Sequence, residues 1–427
     1  MKAETTGQLS ARKLRPLPPG WRWVRLGEIC SRLQYGFTAA AQAEPVGPKM
    51  LRITDIENGE INWNKVPYCI CPAETAQQYS LQALDILFAR TGSVGKSYLV
   101  TNPPTNTIFA SYLIRVQVKP EVIPSYLYAY LQSPEYWKQV RQKTYGGVQP
   151  NMSASVLATI DVPLPPLNEQ RAIVARLEAQ MAQVQRLRAA AERQLEAARA
   201  MQGAILRQVF RYKEGESLPP GWRWVRLGEI CKLIRGVDFQ AGDYCRTERG
   251  GFVPILRAGN IGDDLDLRSD LIWVPASKVS EEQLLRRGDI VMCMSSGSPQ
   301  LVGKSAMLRG TFFGSVGAFC AIIRVEDTVV ADYVSYWLRS SLFLMWRDSQ
   351  VKGANIQNLQ ASRLASVLLP LPTITEQRAI VARLEAQMAQ VQRLRAAAER
   401  QLEATNALPG ALLNEIFGGF EPPAEME

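Results

Sequence analysis

Arg90-Thr91-Gly92-Ser93-Val94-Gly95-Lys96-Ser97 carries the ingredients of a phosphate-binding loop: glycines that let backbone amides face an anion, then a lysine and a hydroxyl. The spacing departs from that loop. It calls for glycine five residues before Gly95, where Arg90 stands, and the later Gly303-Lys304-Ser305 has Ser298 at the matching place. Strand-like residues come after both segments, where the nucleotide motif needs a helix. A glycine-rich turn with one lysine suits the phosphates of a DNA backbone better than nucleotide hydrolysis. Asn102-Pro103-Pro104-Thr105 resembles the Asn-Pro-Pro-aromatic tetrapeptide of adenine methyltransferases, but Thr105 cannot stack on a flipped base, so a proline turn is the simpler reading. The chain has no histidine, which removes the commonest general base and metal ligand. No lysine follows Asp or Glu at two positions' distance, so the Asp/Glu-x-Lys metal site of many nucleases is absent too. The cysteines, Cys30, Cys69, Cys71, Cys231, Cys245, Cys293 and Cys320, form no C-x-x-C pair for zinc or redox work, and read as reduced thiols of a cytoplasmic protein. Two enzyme readings stay open at this level: a nucleotide hydrolase using Lys96 or Lys304, and a methyltransferase using Asn102. A scaffold without sequence preference is a third.

The elements that must position these residues occur twice. Leu17–Cys30 recurs unchanged as Leu218–Cys231, and Asn168–Ala197 recurs as Thr375–Ala404 with a difference only at the first residue. Between the repeated blocks the sequence has diverged, a fixed frame around variable filling. Short strands are expected at Leu51–Ile56 beside Leu256–Ile261, Asp85–Phe88 beside Asp289–Met292, and Tyr112–Val116 beside Ala321–Val325. Helices containing Tyr126–Tyr130 and Tyr333–Leu338 come next. This predicts α+β domains rich in turns.

From Glu169 to about Tyr212, good helix formers dominate and only Gly203 interrupts them. Val174, Leu177, Met181, Val184, Ala191, Leu195 and Ala198 fall at three- and four-residue steps, broken by Arg188, with Ile205 and Val209 extending the stripe. Val381, Leu384, Met388, Val391, Ala398 and Leu402 repeat the seam, which is expected to stop near Pro409. Such a narrow stripe predicts a coiled coil. About 45 helical residues span roughly 65 Å, against about 40 Å for a compact domain, so antiparallel pairing spares the chain a long return. The expected architecture has two globular domains at opposite ends of an antiparallel pair of long helices, related by a pseudo-twofold internal repeat.

The net charge of +9 favours an anionic partner. No run approaches the length of a membrane span, and Met1 to Arg15 is polar, so neither membrane insertion nor export is expected.

Taken together, the duplicated Gly-Trp-x-Trp-x-x-x-Leu-Gly-Glu openings, Arg-Thr-Gly-Ser-Val-Gly-Lys after a strand, Gly146-Gly147-Val148-Gln149-Pro150-Asn151, and Pro-Leu-Pro-Pro-Leu-Asn-Glu-Gln-Arg-Ala-Ile-Val entering a long helix resemble the specificity subunit of type I restriction-modification enzymes. The resemblance covers nearly the whole chain. It implies two target-recognition domains, each reading one half of a split, asymmetric DNA target, and helices that set the spacer and seat two methyltransferase subunits. Two restriction/translocase subunits are further possible partners. Adenine methylation and ATP-dependent cleavage would then belong to the partners, with S-adenosylmethionine, ATP and Mg bound there and no cofactor, metal or catalytic residue in this chain. The corresponding boundaries are a tail at 1–16, recognition domains at 17–165 and 215–372, helices at 166–214 and 373–417, and a tail at 418–427. Arginine, asparagine and glutamine can read base edges while lysine and glycine-rich turns hold phosphates. In the first domain this singles out Gln34, Tyr35, Arg52, Thr54, Arg90, Ser93, Lys96, Gln149 and Asn151. In the second it singles out Arg235, Asp238, Arg257, Asn260, Ser296, Ser298, Lys304, Lys352, Asn355 and Gln357. Met292-Cys293-Met294-Ser295-Ser296-Gly297 stands where the first half has Phe88-Ala89-Arg90-Thr91-Gly92, so the two halves are expected to make different contacts.

Overall fold

The computed structural model describes residues 16–57, 59–144, 151–240, 242–351 and 357–420. They form two compact units, one of the residues up to Ala190 with those from Gln401 onward, the other of Ala191–Arg400.

In the first unit four antiparallel strands lie in the order Cys30–Tyr35, Leu113–Val118, Ile86–Ala89, Ser97–Leu99. Strand alternation sends Ile86, Phe88, Ile114 and Val116 to one face. There they pack on Tyr126, Leu127 and Tyr130 of helix Pro124–Tyr130 and on Tyr136 and Val140 of helix Pro134–Thr144. Leu87 and Leu113 go to the other face, against Leu51, Val100 and Phe109. The second unit repeats the sheet as Cys231–Arg235, Cys320–Val325, Ile290–Cys293, Ser305–Met307. Ile290, Met292 and Ile323 face the helices, and Val291, Cys293 and Ile322 the opposite layer. Burial pushes the repeated thiols Cys30 and Cys231 up to about 12, so at neutral pH both are protonated core groups.

Two expectations about strands are corrected. The strands ending at Leu51 and Leu256 do not continue to residues 56 and 261, because tight helical turns at Ile53–Asp55 and Ala258–Asn260 intervene. Asp55 accepts the Arg52 amide at 2.8 Å, and Asn260 accepts that of Arg257 at 2.8 Å. Short polar side chains that bond the backbone in this way compete with the strand ladder. The central strands also match differently from the shared Ile-Arg-Val letters. Leu113–Val118 takes the place of Cys320–Val325, since Leu87 lies opposite Arg115 and Val291 opposite Ile322. A two-residue slip keeps every side chain on its face, so the pattern alone could not exclude it.

Arg22–Arg25 pairs with Asp161–Leu164, and Arg223–Arg226 with Leu368–Leu371, so each domain closes its chain just before a long helix. The helices run Leu167–Val209 and Ile374–Phe417. In each unit a buried glutamine in the first helical turn anchors the helix. Gln170 accepts from the Ile123 amide at 2.8 Å and donates to the carbonyls of Glu121 at 3.0 Å and Pro165 at 2.9 Å. Gln377 accepts from Val330 at 2.9 Å and donates to Pro372 at 2.8 Å. Leucine at 170 would leave the buried Pro165 carbonyl and the partly buried Ile123 amide and Glu121 carbonyl without this partner, so Gln170→Leu is expected to cost about 2 kcal/mol in urea unfolding. A loss within error would show the anchor to be idle.

The helix segments run antiparallel within each unit. In the first, Trp21 donates to Glu169 at 2.6 Å and packs on Phe420 at 5.7 Å, and farther along the helix Arg176 pairs with Glu415. In the second, Leu206 and Val209 share a cluster with Val381 and Leu384. The seam is buried at Leu177, Ala191, Ala198, Val381, Leu384, Val391 and Ala398, while Arg188 stays at the surface. Its expected end near Pro409 is corrected: the helix passes through Pro409 to Phe417, with Leu413 and Phe417 buried. Phe417 packs edge-on against Tyr126 and Tyr130, at 5.7 and 5.4 Å between ring centres, and this contact holds the turns beyond the missing amide. In the second unit Phe210 meets Tyr333 at 5.4 Å in the same manner. Among the described residues no helix is long and apolar enough to cross a membrane.

Candidate nucleic-acid interface

In each unit one end of the four-stranded sheet gathers several of the polar residues singled out by their chemistry. In the first unit this end holds Tyr35, Arg90, the turn Thr91–Lys96 and the segment from Asn151. The Arg90 amide donates to the Tyr112 carbonyl at 3.1 Å, and its own carbonyl accepts from Met152 at 2.9 Å. The Arg90 guanidinium lies over the Tyr35 ring, 4.8 Å from its centre. The Tyr35 hydroxyl accepts from the Ala154 amide at 2.8 Å. Tyr35, Arg90 and the neighbourhood of Asn151 are therefore one structure. The Arg90 Nε is buried without a hydrogen-bond partner among the described residues. Ser93 is half-buried and Lys96 exposed, on a turn whose Gly95 backs onto Val140 and Trp137. The turn leads into strand Ser97–Leu99, and Asn102–Thr105 is an irregular link before strand Thr107–Phe109.

The second unit builds the same end from different residues. Met294 takes the position of Arg90: its carbonyl accepts from Leu359 at 2.8 Å as that of Arg90 accepts from Met152, and Met294 is buried. Beyond it Ser295 and Ser296 pair with Asn358 and Gln357 in a short ladder. Ser296 Oγ accepts from the exposed Ser298 amide at 3.1 Å, and Lys304 is half-buried beside Gly303, whose bare Cα admits the Arg347 side chain. Arg235 and Asp238 are exposed where the first strand leaves the sheet.

Other expected contacts fall elsewhere. Gln34 turns inward and accepts from the Arg115 guanidinium, with its amide donating to Gln78 at 3.4 Å. Arg52 is held by Asp55, at 3.1 Å from Nε and 2.7 Å from Nη2, with Thr54 exposed on the same turn. Arg257 is paired with Asp270. Asn260 is 3% exposed, and its amide donates to the carbonyls of Asp266 at 3.1 Å and Ser269 at 2.7 Å, so it shapes a loop from within. Gln149, Lys352 and Asn355 lie outside the described residues, as does the side chain of Gln357. Sequence reasoning passed over Tyr112 and Phe319, which stand exposed at this same sheet end. Reading Tyr112 as the first residue of a strand hid it.

Gly36 and Gly236 let the first strand leave the sheet beside the opposing turn. A Cβ on either would overlap a backbone carbonyl oxygen, that of Ala110 or of Gly317. Backbone cannot yield as a side-chain tip can. Gly36→Ala is expected to lower stability by about 3 kcal/mol. An unchanged melting temperature would contradict the clash.

Known proteins resemble this chain in sequence and fold. The pattern of the Type I restriction modification DNA specificity domain matches residues 18–197 and again 219–404. The StySPI specificity subunit of Salmonella potsdam is 35% identical over 183 residues, covering 43% of this chain and 40% of the relative. The EcoKI specificity subunit of Escherichia coli K12 is 33% identical over 214 residues, covering 48% and 46%. This chain thus spans under half the length of those two relatives. A chain solved in work on complex assembly and conformational transition of the type I R-M system superposes with a TM-score of 0.74 at 26% identity, over 94% of this chain and 99% of that one. The HsdS subunit from Thermoanaerobacter tengcongensis superposes at 0.60 and 26% identity, over 94% and 98%. With its domain matched twice across nearly the whole length, the chain belongs to the type I restriction-modification DNA specificity family.

Proposed function

We propose that this chain is the noncatalytic recognition subunit of a type I restriction-modification complex, reading an asymmetric bipartite target with one half-site per domain. One observation carries the proposal: the same sheet end in the two repeats keeps its backbone bonds while exchanging Arg90 for Met294 and a glycine-rich turn for a serine ladder. Unlike readers on like frames give unlike half-sites, and the distance between half-sites becomes a property of the protein. Arg90 can bond a guanine edge, while Ser296 and Ser298 can serve either bases or phosphates. Lys96 and Lys304 supply phosphate contacts.

In this reading the helix pair seats two methyltransferase subunits, and restriction/translocase subunits join where present. S-adenosylmethionine, ATP and Mg act on those partners. Methylated adenines should be mapped in DNA from cells expressing the chain with its methyltransferase subunit. The expected motif has two different specified blocks separated by a fixed run of unspecified bases. A single continuous or palindromic motif would contradict the proposal.

A further inference from the structure

Each domain presents an aromatic ring at the same place and leaves it bare. Tyr112 is 60% exposed and Phe319 66%. Both are third residues of the tight turns Ala110–Leu113 and Gly317–Cys320 that open the central strand, closed by hydrogen bonds from the Leu113 amide to the Ala110 carbonyl at 2.9 Å and from the Cys320 amide to the Gly317 carbonyl at 2.8 Å. The turns are braced from both sides. The Tyr112 carbonyl accepts from Arg90 at 3.1 Å, and that of Phe319 from Met294 at 2.8 Å and Ser295 at 3.1 Å. From the other side Gly36 donates to Leu113 at 3.1 Å and Gly236 to Cys320 at 3.0 Å. A turn fixed this firmly holds its ring in the open.

Around the two rings the polar residues differ, Arg90 and Tyr35 in one domain and Ser296 and Arg235 in the other, yet an exposed aromatic persists. A ring held out into water forgoes the gain of burial, and a solvated turn has no use for it. DNA offers apolar surface at such an edge, either the thymine methyl group in the major groove or a base face uncovered when an apolar side chain opens a step.

We propose that Tyr112 and Phe319 are base-contacting residues, each ring packing on the apolar surface of one base in the half-site of its own domain. The proposal rests on the DNA-recognition reading of this sheet end. The test uses the complex assembled with methyltransferase subunits and a randomised duplex library. Tyr112→Ala is expected to weaken binding of the selected duplex on the order of tenfold and to flatten preference at one position of one half-site, with Phe319→Ala doing so in the other. Tyr112→Phe and Phe319→Tyr should retain binding and preference. Uracil in place of thymine at the affected position reproduces the loss if the methyl group is the contact and leaves binding intact if the base face is, and both outcomes support the proposal.

Unchanged affinity and preference in both alanine variants, with loss in Arg90→Ala, would overturn the proposal while leaving the DNA reading of this sheet end in place. No effect from any of the three would overturn both. Loss spread evenly over all sequences, with a lowered melting temperature, would make the ring part of the scaffold and overturn the proposal too.

Discussion

Asp85→Ala is expected to destabilise the first domain by about 3–5 kcal/mol, because it leaves an uncompensated buried charge. Arg115 and Asp85 are each 2% exposed. The guanidinium donates to the Ser80 carbonyl at 2.6 Å, the Gln78 carbonyl at 3.0 Å and Asp85 at 3.4 Å, and Asp85 also accepts from Gln117 at 2.7 Å and the Gln82 amide at 2.9 Å. Burial pulls the Arg115 proton affinity down, and the Asp85 carboxylate pulls it back. Removing the carboxylate removes the opposing pull. The second domain uses Arg324 and Asp289, at 2.9 and 2.7 Å, and there the hydrogen-bonded carboxylate raises the arginine's proton affinity. The Arg324 side chain keeps 17% exposure, so Asp289→Ala should cost less. Hydrogen exchange of strands Ile86–Ala89 and Ile290–Cys293 measures each domain separately. A loss below about 1 kcal/mol at Asp85 would contradict the account. The double variant Asp85→Leu with Arg115→Leu should be less destabilised than Asp85→Ala, since it leaves no stranded charge, but should stay below wild type because the Ser80 and Gln78 carbonyls and the Gln82 amide lose their partners.

Four residues inserted after Ala189 are expected to change the target more than the fold. The insertion adds about 6 Å of helix and rotates the downstream residues by about 40°, displacing the seam that buries Ala191 and Ala198. If the helix pair sets half-site separation, methylation of the original target should fall below about 1% of wild type. Repeated selection should recover both original blocks with a longer gap, or no target. Retention of the original gap would refute the proposed ruler, and altered blocks would refute the separation of reading from spacing.

Much of this was legible in the sequence because the repeats print it twice. The long helices arise from composition and period, and the layer to which Ile86, Leu87 and Phe88 each turn is set by alternation. The replacement of Arg90 at its equivalent position was readable from aligned letters. The unreadable contacts depend on partners far along the chain. Gln34 is taken inward by Arg115, 81 residues away, and no local pattern reveals this. Asn260 looked like a base reader because its amide can serve bases and loop carbonyls alike. Tyr112 was hidden by a two-residue slip that preserves the alternation on which strand reading depends.

The buried anchors have a wider consequence. Gln170 bonds to main-chain atoms of Ile123, Glu121 and Pro165, Tyr126 to the Pro163 carbonyl, and Tyr130 to that of Asp161 at 2.7 Å. Gln377 and Tyr333 do likewise with Val330, Pro372 and Pro370. A socket that grips main chain is indifferent to the letters it carries. Loops away from the aromatic contacts of Phe417 and Phe210 can therefore be rewritten while these main-chain bonds are kept, and under the proposed function new preferences become accessible by loop exchange rather than by slow refinement.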